Sequence, residues 1–240
     1  MADFFDTYII VIRRKYMSIG CQIITDFKRP DRSLVSLFEG LQVADLDDNM
    51  SRTQAVFHKI SSFTGKTVVG TAFTIKLPHG DNLMFRAALK YVKPGDVIVI
   101  DAGGFEDRAV IGEVTTKYAM KAGAAGIICD GALRDSMVLS ELDFPVFAKG
   151  VSPNGPFFNG PGEVNVPIVC GGQLVNPGDI VVGDQDGIVF IKPEYAKEVY
   201  ENTIKTKQKE ELLLKELEET GSMTQNFVWE RLEQIGCTIV

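Results

Sequence analysis

Apolar and polar residues form alternating blocks along the chain, and these blocks predict strands and helices in turn. The segments KTVVGTAFTIKL and PGDVIVID are runs of β-branched and apolar residues, which are typical of buried strands. Residues 125–129 are a third run of this kind, and Gly131 is the predicted turn that ends it. Residues 144–191 are rich in strand-forming residues interrupted by Gly and Pro. The pattern predicts an α/β fold with several buried strands.

Apolar residues that recur three and four positions apart predict the helices. This spacing covers residues 31–61 and residues 81–91, with Asp81 as the N-cap of the second segment. The segment GEVTTKYAMKAG is a predicted helix that ends at Gly123, and a long charged helix ends at Gly221. The long helix is expected to be exposed or to lie on a neighbouring subunit.

The 240 residues contain no linker, which favours one α/β domain over residues 31–220. Residues 1–30 are predicted as an N-terminal extension and residues 221–240 as a C-terminal helical tail. Acidic residues precede the first apolar patch and basic residues follow it, the reverse of a secretory signal, and we expect a cytoplasmic protein. No apolar run reaches the roughly 18 residues of a membrane helix.

The net charge of −7 argues against nonspecific binding to nucleic acid or to an anionic membrane, because both require a basic surface. The four cysteines are far apart and lack the CxxC spacing of zinc or redox sites, so free thiols are expected. Only His58, in a predicted helix, and His79, in a predicted turn, are available as a histidine base. A Ser-His-Asp or Cys-His arrangement is therefore not favoured.

A more informative group of residues follows two predicted strands. Arg134 and Asp135 come after the strand at residues 125–129, where ligand sites of open α/β sheets gather. Residues 112–115 (Gly112, Glu113, Val114 and Thr115) begin a helix whose free backbone N–H groups can bind an anion. Arginine suits a carboxylate, and a single aspartate suits magnesium or manganese, which keep most of their waters. The alternative without a function in binding is that Arg134 and Asp135 form a weak surface ion pair in a solvated turn.

These segments carry a family resemblance. The ordered set VGTAFTIKL, GDNL, PGDVIVID, GEVTTKYAMKAGAAGIICDGALRD, FPVFAKG, VNVPIVCGG and VNPGDIVVGDQDGIVFI resembles the family that joins RraA-type regulators of RNase E to the 4-hydroxy-4-methyl-2-oxoglutarate (4-carboxy-4-hydroxy-2-oxoadipate) aldolases. The resemblance covers roughly residues 34–218. It implies the β/β/α swivelling-domain architecture, here with helical N- and C-terminal extensions.

The resemblance also implies an activity and an assembly. Aldolases of this family are Mg²⁺- or Mn²⁺-dependent lyases that release pyruvate from 2-oxo acids and often decarboxylate oxaloacetate. They assemble as a homotrimer or a dimer of trimers, with the active site between subunits. Carried over to this chain, the backbone of residues 112–115 and Arg134 contact the substrate, and Asp135 binds the metal.

Cleavage beside a 2-oxo group requires stabilisation of a pyruvate enolate, either by a lysine Schiff base or by a divalent metal. No lysine is expected in an apolar strand, which favours the metal together with Arg134. Glu113, acting through a water, is the candidate for proton transfer, although it can equally serve only to stabilise the first helical turn. The resemblance implies a further carboxylate from a neighbouring subunit, and Glu210 is the nearest match. The alternative is that Glu210 is only an exposed surface charge.

Two other functions remain open from the sequence. One is a noncatalytic regulator of the RraA type that binds a protein partner such as an RNase. The other is a related lyase or hydro-lyase that acts on sugar acids with the same enolate chemistry. The fold alone does not separate these functions from the aldolase.

Overall fold

A computed structural model describes residues 19–238 of the chain. Residues 1–18 and 239–240 lie outside the described residues, and they include most of the extension predicted for residues 1–30. Residues 21–23 of that extension form a strand of the main sheet, so the chain enters the domain earlier than residue 31. Within residues 19–238, no helix combines the length and apolar character needed to cross a membrane.

Twelve strands and seven α-helices make up the described part of the chain. The strands are β1 (Cys21–Ile23), β2 (Ser61–Ser62), β3 (Val68–Lys76), β4 (Asp96–Asp101), β5 (Ala109–Ile111), β6 (Gly126–Leu133), β7 (Val146–Val151), β8 (Gly162–Val164), β9 (Ile168–Cys170), β10 (Gln173–Val175), β11 (Ile180–Gly183) and β12 (Ile188–Ile191). The helices are α1 (Arg32–Val35), α2 (Val43–Asp48), α3 (Leu83–Ala88), α4 (Glu113–Ala122), α5 (Ser136–Ser140), α6 (Ala196–Thr220) and α7 (Asn226–Gln234). Single-turn 3-10 helices follow α1 and α3.

Four parallel strands form the centre of the main sheet, in the order β3, β4, β6 and β7. β5 adds to β6 in the parallel sense, while β8 and β11 pair with β3 in the antiparallel sense. β1 and β2 lie at the two ends of the path, and β9 and β10 form a separate hairpin. The α/β fold class predicted from the sequence is confirmed, and the C-terminal helices are present.

Apolar side chains cover both faces of the central strands, as expected for a buried parallel sheet. One core cluster lies against α3 and α4 and includes Phe73, Phe85 and Ile127. A second cluster on the other face includes Phe147 and packs against β9 to β12. A third cluster, around Phe38, joins α2 and the start of α6 to the sheet. Both faces of the sheet are therefore packed in the core. Polar side chains lie in the loops at the carboxyl-terminal edge of its strands.

The prediction of helix over residues 31–61 is wrong beyond residue 48. Ser51 and Arg52 adopt positive φ angles of 64° and 56°, a backbone conformation that ends the helical segment. The following residues form long-range hydrogen bonds instead: the N–H of Val56 donates to Ile188 in β12, and that of Phe57 donates to Gly171 in the turn between β9 and β10. His58 therefore lies in an exposed turn rather than in a helix.

The prediction that Gly131 ends a strand is also wrong, because β6 continues to Leu133. Gly131 is buried, and a Cβ atom at this position would come within 2.8 Å of the Cβ of Ala102. The ladder with β7 is irregular between Cys129 and Ala132. The glycine thus permits close packing within a continuing strand, and Arg134 follows the strand end directly.

Candidate active site

Two neighbouring strands end side by side and bring the two predicted groups together. Ile111 at the end of β5 pairs with Leu133 at the end of β6, and the backbone N–H of Arg134 donates to the Ile111 carbonyl at 3.0 Å. The next residues are Gly112, before α4, and Arg134. Segments 22 residues apart in sequence are therefore adjacent at one edge of the sheet.

The start of α4 offers two unoccupied backbone donors. The N–H of Gly112 donates to Thr115 Oγ1 at 3.1 Å, and that of Glu113 donates to Asp135 Oδ2 at 3.0 Å. Within residues 19–238, the N–H groups of Val114 and Thr115 have no hydrogen-bond acceptor. First-turn N–H groups lack intrahelical partners, and the helix dipole favours an anion beside them. Of the four predicted residues, Val114 and Thr115 therefore hold the donors available to a ligand.

Arg134 and Asp135 are half-exposed, and their side chains lie beside each other. Arg134 Nε is 3.7 Å from Asp135 Oδ2, with 44% and 38% of the two side chains exposed. Asp135 has a φ of 60°, a conformation that aspartate and asparagine tolerate better than most residues. Since Oδ2 also accepts the Glu113 N–H, the other carboxylate oxygen of Asp135 remains available to a cation.

Gly112 provides the room for this arrangement. Its φ of −158° is ordinary extended backbone, so glycine is not required there by conformation. A Cβ atom at position 112 would lie 2.9 Å from Asp135 Oδ2 and 3.2 Å from Arg134 Cγ. Absence of a side chain therefore lets Arg134 and Asp135 reach the start of α4.

A cavity of about 180 Å³ opens beside these groups. This volume is below the roughly 300–1,000 Å³ of drug-sized sites and suits a small metabolite. The lining residues are Asn82, Arg86, Ala109, Val110, Ile111, Gly112, Glu113, Val114, Thr115, Arg134, Gly155, Pro156 and Phe158. Asp135 is outside this lining and is joined to it through its bond to Glu113.

Asn82 and Arg86, which also line the cavity, were not anticipated from the sequence. Asn82 is 2% exposed, its Nδ2 donates to the Val110 carbonyl at 3.1 Å, and its Oδ1 has no partner within residues 19–238. A buried acceptor without a partner is uncommon in proteins and is available to a ligand donor. The only sequence signal was its place in the segment GDNL, directly before a helix.

The loop of residues 152–160 forms the rim of the cavity. Buried Asp81 fixes this loop, because its Oδ2 accepts the N–H groups of Asn159 and Gly160 at 2.5 and 3.0 Å. Its Oδ1 accepts the N–H of Leu83 at the start of α3. The Asp81 carboxylate thus holds α3 and the rim in one arrangement. Asn82, and not Asp81, occupies the N-cap position of α3.

Glu113 and Glu210 differ in their relation to the cavity. Glu113 lines it and forms an ion pair with Lys117, one turn further along α4. Glu210 is exposed on α6, a helix that packs against α2 through Lys207 and Asp45, and Glu210 is outside the lining of this cavity. Of these two glutamates, Glu113 is the one that lines the cavity in the described part of the chain.

Lys149 corrects the expectation that no lysine lies in an apolar strand. It is part of β7, and 21% of its side chain is exposed. Its ammonium group is 3.7 Å from Asp130 and 3.9 Å from Glu106, and it donates to the Gly104 carbonyl at 3.1 Å. Lys149 is therefore held by structural contacts and lies outside the lining of the cavity, so it is not placed to form a Schiff base there.

Metal ligation within one chain depends on few groups. No cluster of three or more His, Cys, Asp or Glu side chains suited to a metal occurs within residues 19–238. Among residues 19–238, Oδ2 of Asp135 accepts the Glu113 N–H, and the second carboxylate oxygen has no hydrogen-bond partner. A single carboxylate fits Mg²⁺ or Mn²⁺ that retains several waters, and it does not fit a closed structural metal site.

Comparison with known proteins identifies the relatives of this chain. The family model described as RraA-like (Aldolase/RraA) matches residues 43–190. A Halalkalibacterium halodurans protein named "Putative 4-hydroxy-4-methyl-2-oxoglutarate aldolase" is 44% identical over 52% of this chain and 59% of its own length. The match thus spans less than two thirds of that relative. A protein of the same name from Aromatoleum aromaticum is 34% identical over 62% of this chain and 94% of its own length.

Solved structures share the fold. The crystal structure of Streptomyces coelicolor RraAS2, described as an unusual member of the RNase ES inhibitor RraA protein family, superposes with a TM-score of 0.70. The two chains are 28% identical, with 78% of this chain and 98% of the other covered. Similarity therefore extends both to proteins named as aldolases and to proteins named as RNase inhibitors.

Proposed function

Because the chain belongs to the RraA-like (Aldolase/RraA) family, we propose that it is a divalent-metal-dependent lyase that cleaves a 4-hydroxy-2-oxo acid to pyruvate. The relatives named as aldolases support a carbon–carbon lyase. The observation that carries the proposal is that the Val114 and Thr115 N–H groups and Arg134 meet at one small cavity, while the Asp135 carboxylate lies next to it through its hydrogen bond from Glu113. A binding surface for a protein has no need of this combination.

Each group has a part in the cleavage. The C3–C4 bond breaks as the C4 hydroxyl loses its proton to a base, and the bonding electron pair becomes the enolate of pyruvate. C4 becomes the carbonyl of the second product, and C3 of the enolate then takes up a proton. The Val114 and Thr115 N–H groups bind the C1 carboxylate, and Arg134 stabilises the developing enolate oxygen.

Two residues act on the hydroxyl end. Asn82 Oδ1, buried and without a partner in residues 19–238, accepts a hydrogen bond from the water through which Glu113 acts and so orients that water beside the C4 hydroxyl. Glu113, acting through a water, takes the hydroxyl proton and later returns a proton to C3. Loss of carbon dioxide from oxaloacetate produces the same enolate, so the site also suits that decarboxylation.

Asp135 would hold Mg²⁺ or Mn²⁺ through the carboxylate oxygen that the Glu113 N–H leaves free. When bound, such an ion supplies Lewis-acid polarisation of the 2-oxo group. The Glu113 N–H fixes the orientation of the Asp135 carboxylate, as hydrogen-bonding partners of metal ligands commonly do.

We further propose that a homotrimer or a dimer of trimers completes the site, with Glu210 of α6 reaching a neighbouring cavity. α6 has 25 residues, about 37 Å of helix, and its buried residues, Ala196, Val199 and Thr203, all belong to the first third. Leu212 and Leu214 further along are 69% and 57% exposed. Sedimentation should give a multiple of three, and truncation before residue 192 should weaken both assembly and activity; an active monomer would contradict the assembly.

The test of the activity is pyruvate release from several 4-hydroxy-2-oxo acids and from oxaloacetate, with Mg²⁺, with Mn²⁺ and with a chelator. Turnover that requires the metal and is lost in Asp135→Asn supports the lyase. Asp143→Asn is the matched control, because Asp143 is an exposed aspartate that pairs with Lys66 outside the cavity. Absence of turnover for every substrate would overturn the proposal.

The alternative is a noncatalytic regulator that binds a protein partner, and similarity to RraAS2 favours it. Such a protein would keep its binding surface when the cavity is disabled. If Asp135→Asn and Arg134→Lys leave RNase inhibition unchanged while no substrate is turned over, the regulator becomes the better conclusion.

A further inference from the structure

We propose that Arg86 is a specificity-determining residue of this cavity: it binds the second carboxylate of a dicarboxylic 2-oxo acid, the substrate class in the names of the aldolase relatives, at the end away from C1. This inference deepens the proposed function and rests on the same cavity. Arg86 lines the wall that carries Asn82, one helical turn further along, and its backbone N–H donates to the Asn82 carbonyl at 3.1 Å. Asn82 is buried whereas Arg86 is exposed, which places Arg86 towards the mouth.

The charges of the cavity leave Arg86 without an anionic partner. Within residues 19–238, the ion pairs include Glu113 with Lys117 and Arg134 with Asp135, and none involves Arg86. The C1 carboxylate of a 2-oxo acid is accommodated at the start of α4 beside Arg134. A substrate with a single carboxylate would leave the Arg86 guanidinium unpaired, while a second carboxylate would give it a charge-assisted and often bidentate partner.

Phe158 positions the guanidinium. The guanidinium carbon of Arg86 is 5.1 Å from the centre of the Phe158 ring, within the range of a cation–π interaction. A planar group held over a ring keeps its N–H edge free for a carboxylate, and the restricted motion lowers the entropy lost on binding. Phe158 belongs to the rim that Asp81 fixes, so its own position is constrained.

Arg108 shows what a structural arginine looks like in the same region. It lies 4.0 Å from the centre of the Phe157 ring, but its Nη1 donates to the Gly155 carbonyl at 2.8 Å. Arg108 is outside the cavity lining. The side-chain N–H groups of Arg86 have no such acceptor within residues 19–238, and Arg86 faces the cavity, which is why we assign a ligand to Arg86 alone.

The experiment compares substrates that differ only at C5: 4-hydroxy-2-oxoglutarate, which has a carboxylate there, and 4-hydroxy-2-oxopentanoate, which has a methyl group. We expect wild type to prefer the diacid. Arg86→Met should lower kcat/KM for the diacid by about 10- to 100-fold, the factor for one charge-assisted hydrogen bond. The monoacid should change by no more than about twofold. Arg86→Lys should recover only part of the loss, because it keeps the charge without the planar group.

Lys90→Met is the matched control, since Lys90 is an exposed cation of the 3-10 helix after α3 and is outside the cavity lining. It should leave the diacid preference unchanged, which separates a local contact from the general field. Circular dichroism before and after heating verifies that each variant is folded. An equal loss for both substrates in Arg86→Met, or no loss for the diacid, would overturn the assignment.

A binding measurement separates this inference from the proposed lyase. Calorimetry should show that 2-oxoglutarate binds more tightly than 2-oxopentanoate to wild type, and that Arg86→Met abolishes the difference. Diacid preference in binding without any turnover would overturn the lyase and retain Arg86 as a carboxylate-binding residue. Turnover without an Arg86-dependent preference would retain the lyase and overturn this inference. Failure of both ligands to bind would overturn both.

Discussion

The Asp135 carboxylate accepts a hydrogen bond from the backbone N–H of Glu113, with 3.0 Å between Oδ2 and the nitrogen. This bond links the residue after β6 to the first residue of α4, so the proposed metal ligand and the anion-binding helix start form one unit. It also occupies the Glu113 N–H group and leaves those of Val114 and Thr115 for a substrate. Several predictions about single substitutions depend on this unit.

Replacement of Asp135 by asparagine should weaken metal binding while preserving the fold. Asparagine tolerates the φ of 60° and keeps an oxygen that can accept the Glu113 N–H. Loss of the anionic ligand should lower the affinity for Mn²⁺, measured by calorimetry, by about 10- to 100-fold. Excess metal should restore part of the rate. Unchanged affinity would assign the metal to other ligands, and Asp143→Asn provides the matched comparison.

Replacement of Arg134 by lysine should act on the rate and not on the metal. Lysine keeps the charge but lacks the planar fork that supports a developing oxyanion. Turnover should fall by about 10²-fold or more, the scale for loss of one such donor, with Mn²⁺ affinity unchanged. Arg52→Lys is the control, because it makes the same change in an exposed ion pair with Asp48. Near-normal turnover of Arg134→Lys would indicate that Arg134 and Asp135 form only an ordinary surface ion pair.

A methyl group at Gly112 should damage the site more than the fold. The added Cβ atom of Gly112→Ala would approach Asp135 Oδ2 to 2.9 Å and displace the carboxylate or Arg134. Displacement of reacting groups by about 1 Å can cost about 10²-fold in rate, whereas alanine at a helix N-cap costs about 1 kcal/mol of stability. Steady-state kinetics and urea unfolding measure the two effects. A normal rate with reduced stability would contradict the site.

Replacement of Glu113 by glutamine tests proton transfer. If Glu113 relays the proton, turnover should fall by about 10²- to 10⁴-fold. Its ion pair with Lys117 is a partly exposed pair one turn apart, so the free energy of unfolding should change by less than about 0.5 kcal/mol. Lys117→Met removes the same ion pair and retains the carboxylate, and it should keep the rate within a few-fold. Equal losses in both variants would indicate that Glu113 only stabilises the helix.

The two buried cysteines should make the stability of the protein depend on pH. Burial, with a further contribution from the nearby Asp130 carboxylate, raises the pKa of the Cys129 and Cys170 thiols well above its ordinary value. Unfolded thiols ionise near about pH 8.5, so this contribution to stability is present below that pH and is lost as pH rises towards the folded pKa. Urea unfolding between pH 7 and 10 should show the decline.

Labelling with a thiol reagent under native conditions should modify exposed Cys21 and Cys237 before the buried pair. Rapid native labelling of Cys129 or Cys170 would contradict their burial.

Local sequence signals determined most of the secondary structure. Gly123 and Gly221 end α4 and α6 in the left-handed conformation, which glycine adopts without strain. The β-branched runs became β3 and β4, because both faces of these strands are buried. In these segments the local preference and the tertiary environment agree.

Where local and tertiary preferences conflict, the tertiary contacts decided. Residues 49–61 have helical spacing of apolar residues, but the N–H of Val56 donates to Ile188 in β12 and that of Phe57 donates to Gly171 in the turn between β9 and β10. Gly131 resembles a turn residue in sequence, yet it lies inside β6. Glycine is needed there because a side chain would collide with Ala102. The partners Ile188, Gly171 and Ala102 are far away in sequence, so the local pattern does not predict these contacts.

The candidate site shows the same division. The sequence alone indicated Gly112 to Thr115, Arg134 and Asp135, because their residue types and their positions after strands are local properties. Only the tertiary structure added Asn82 and Arg86, and only it identified Val114 and Thr115 as the unoccupied donors. The physical reason is that a cavity is made by residues from separate segments, and the hydrogen bonds that each donor has already made depend on neighbours that the fold supplies.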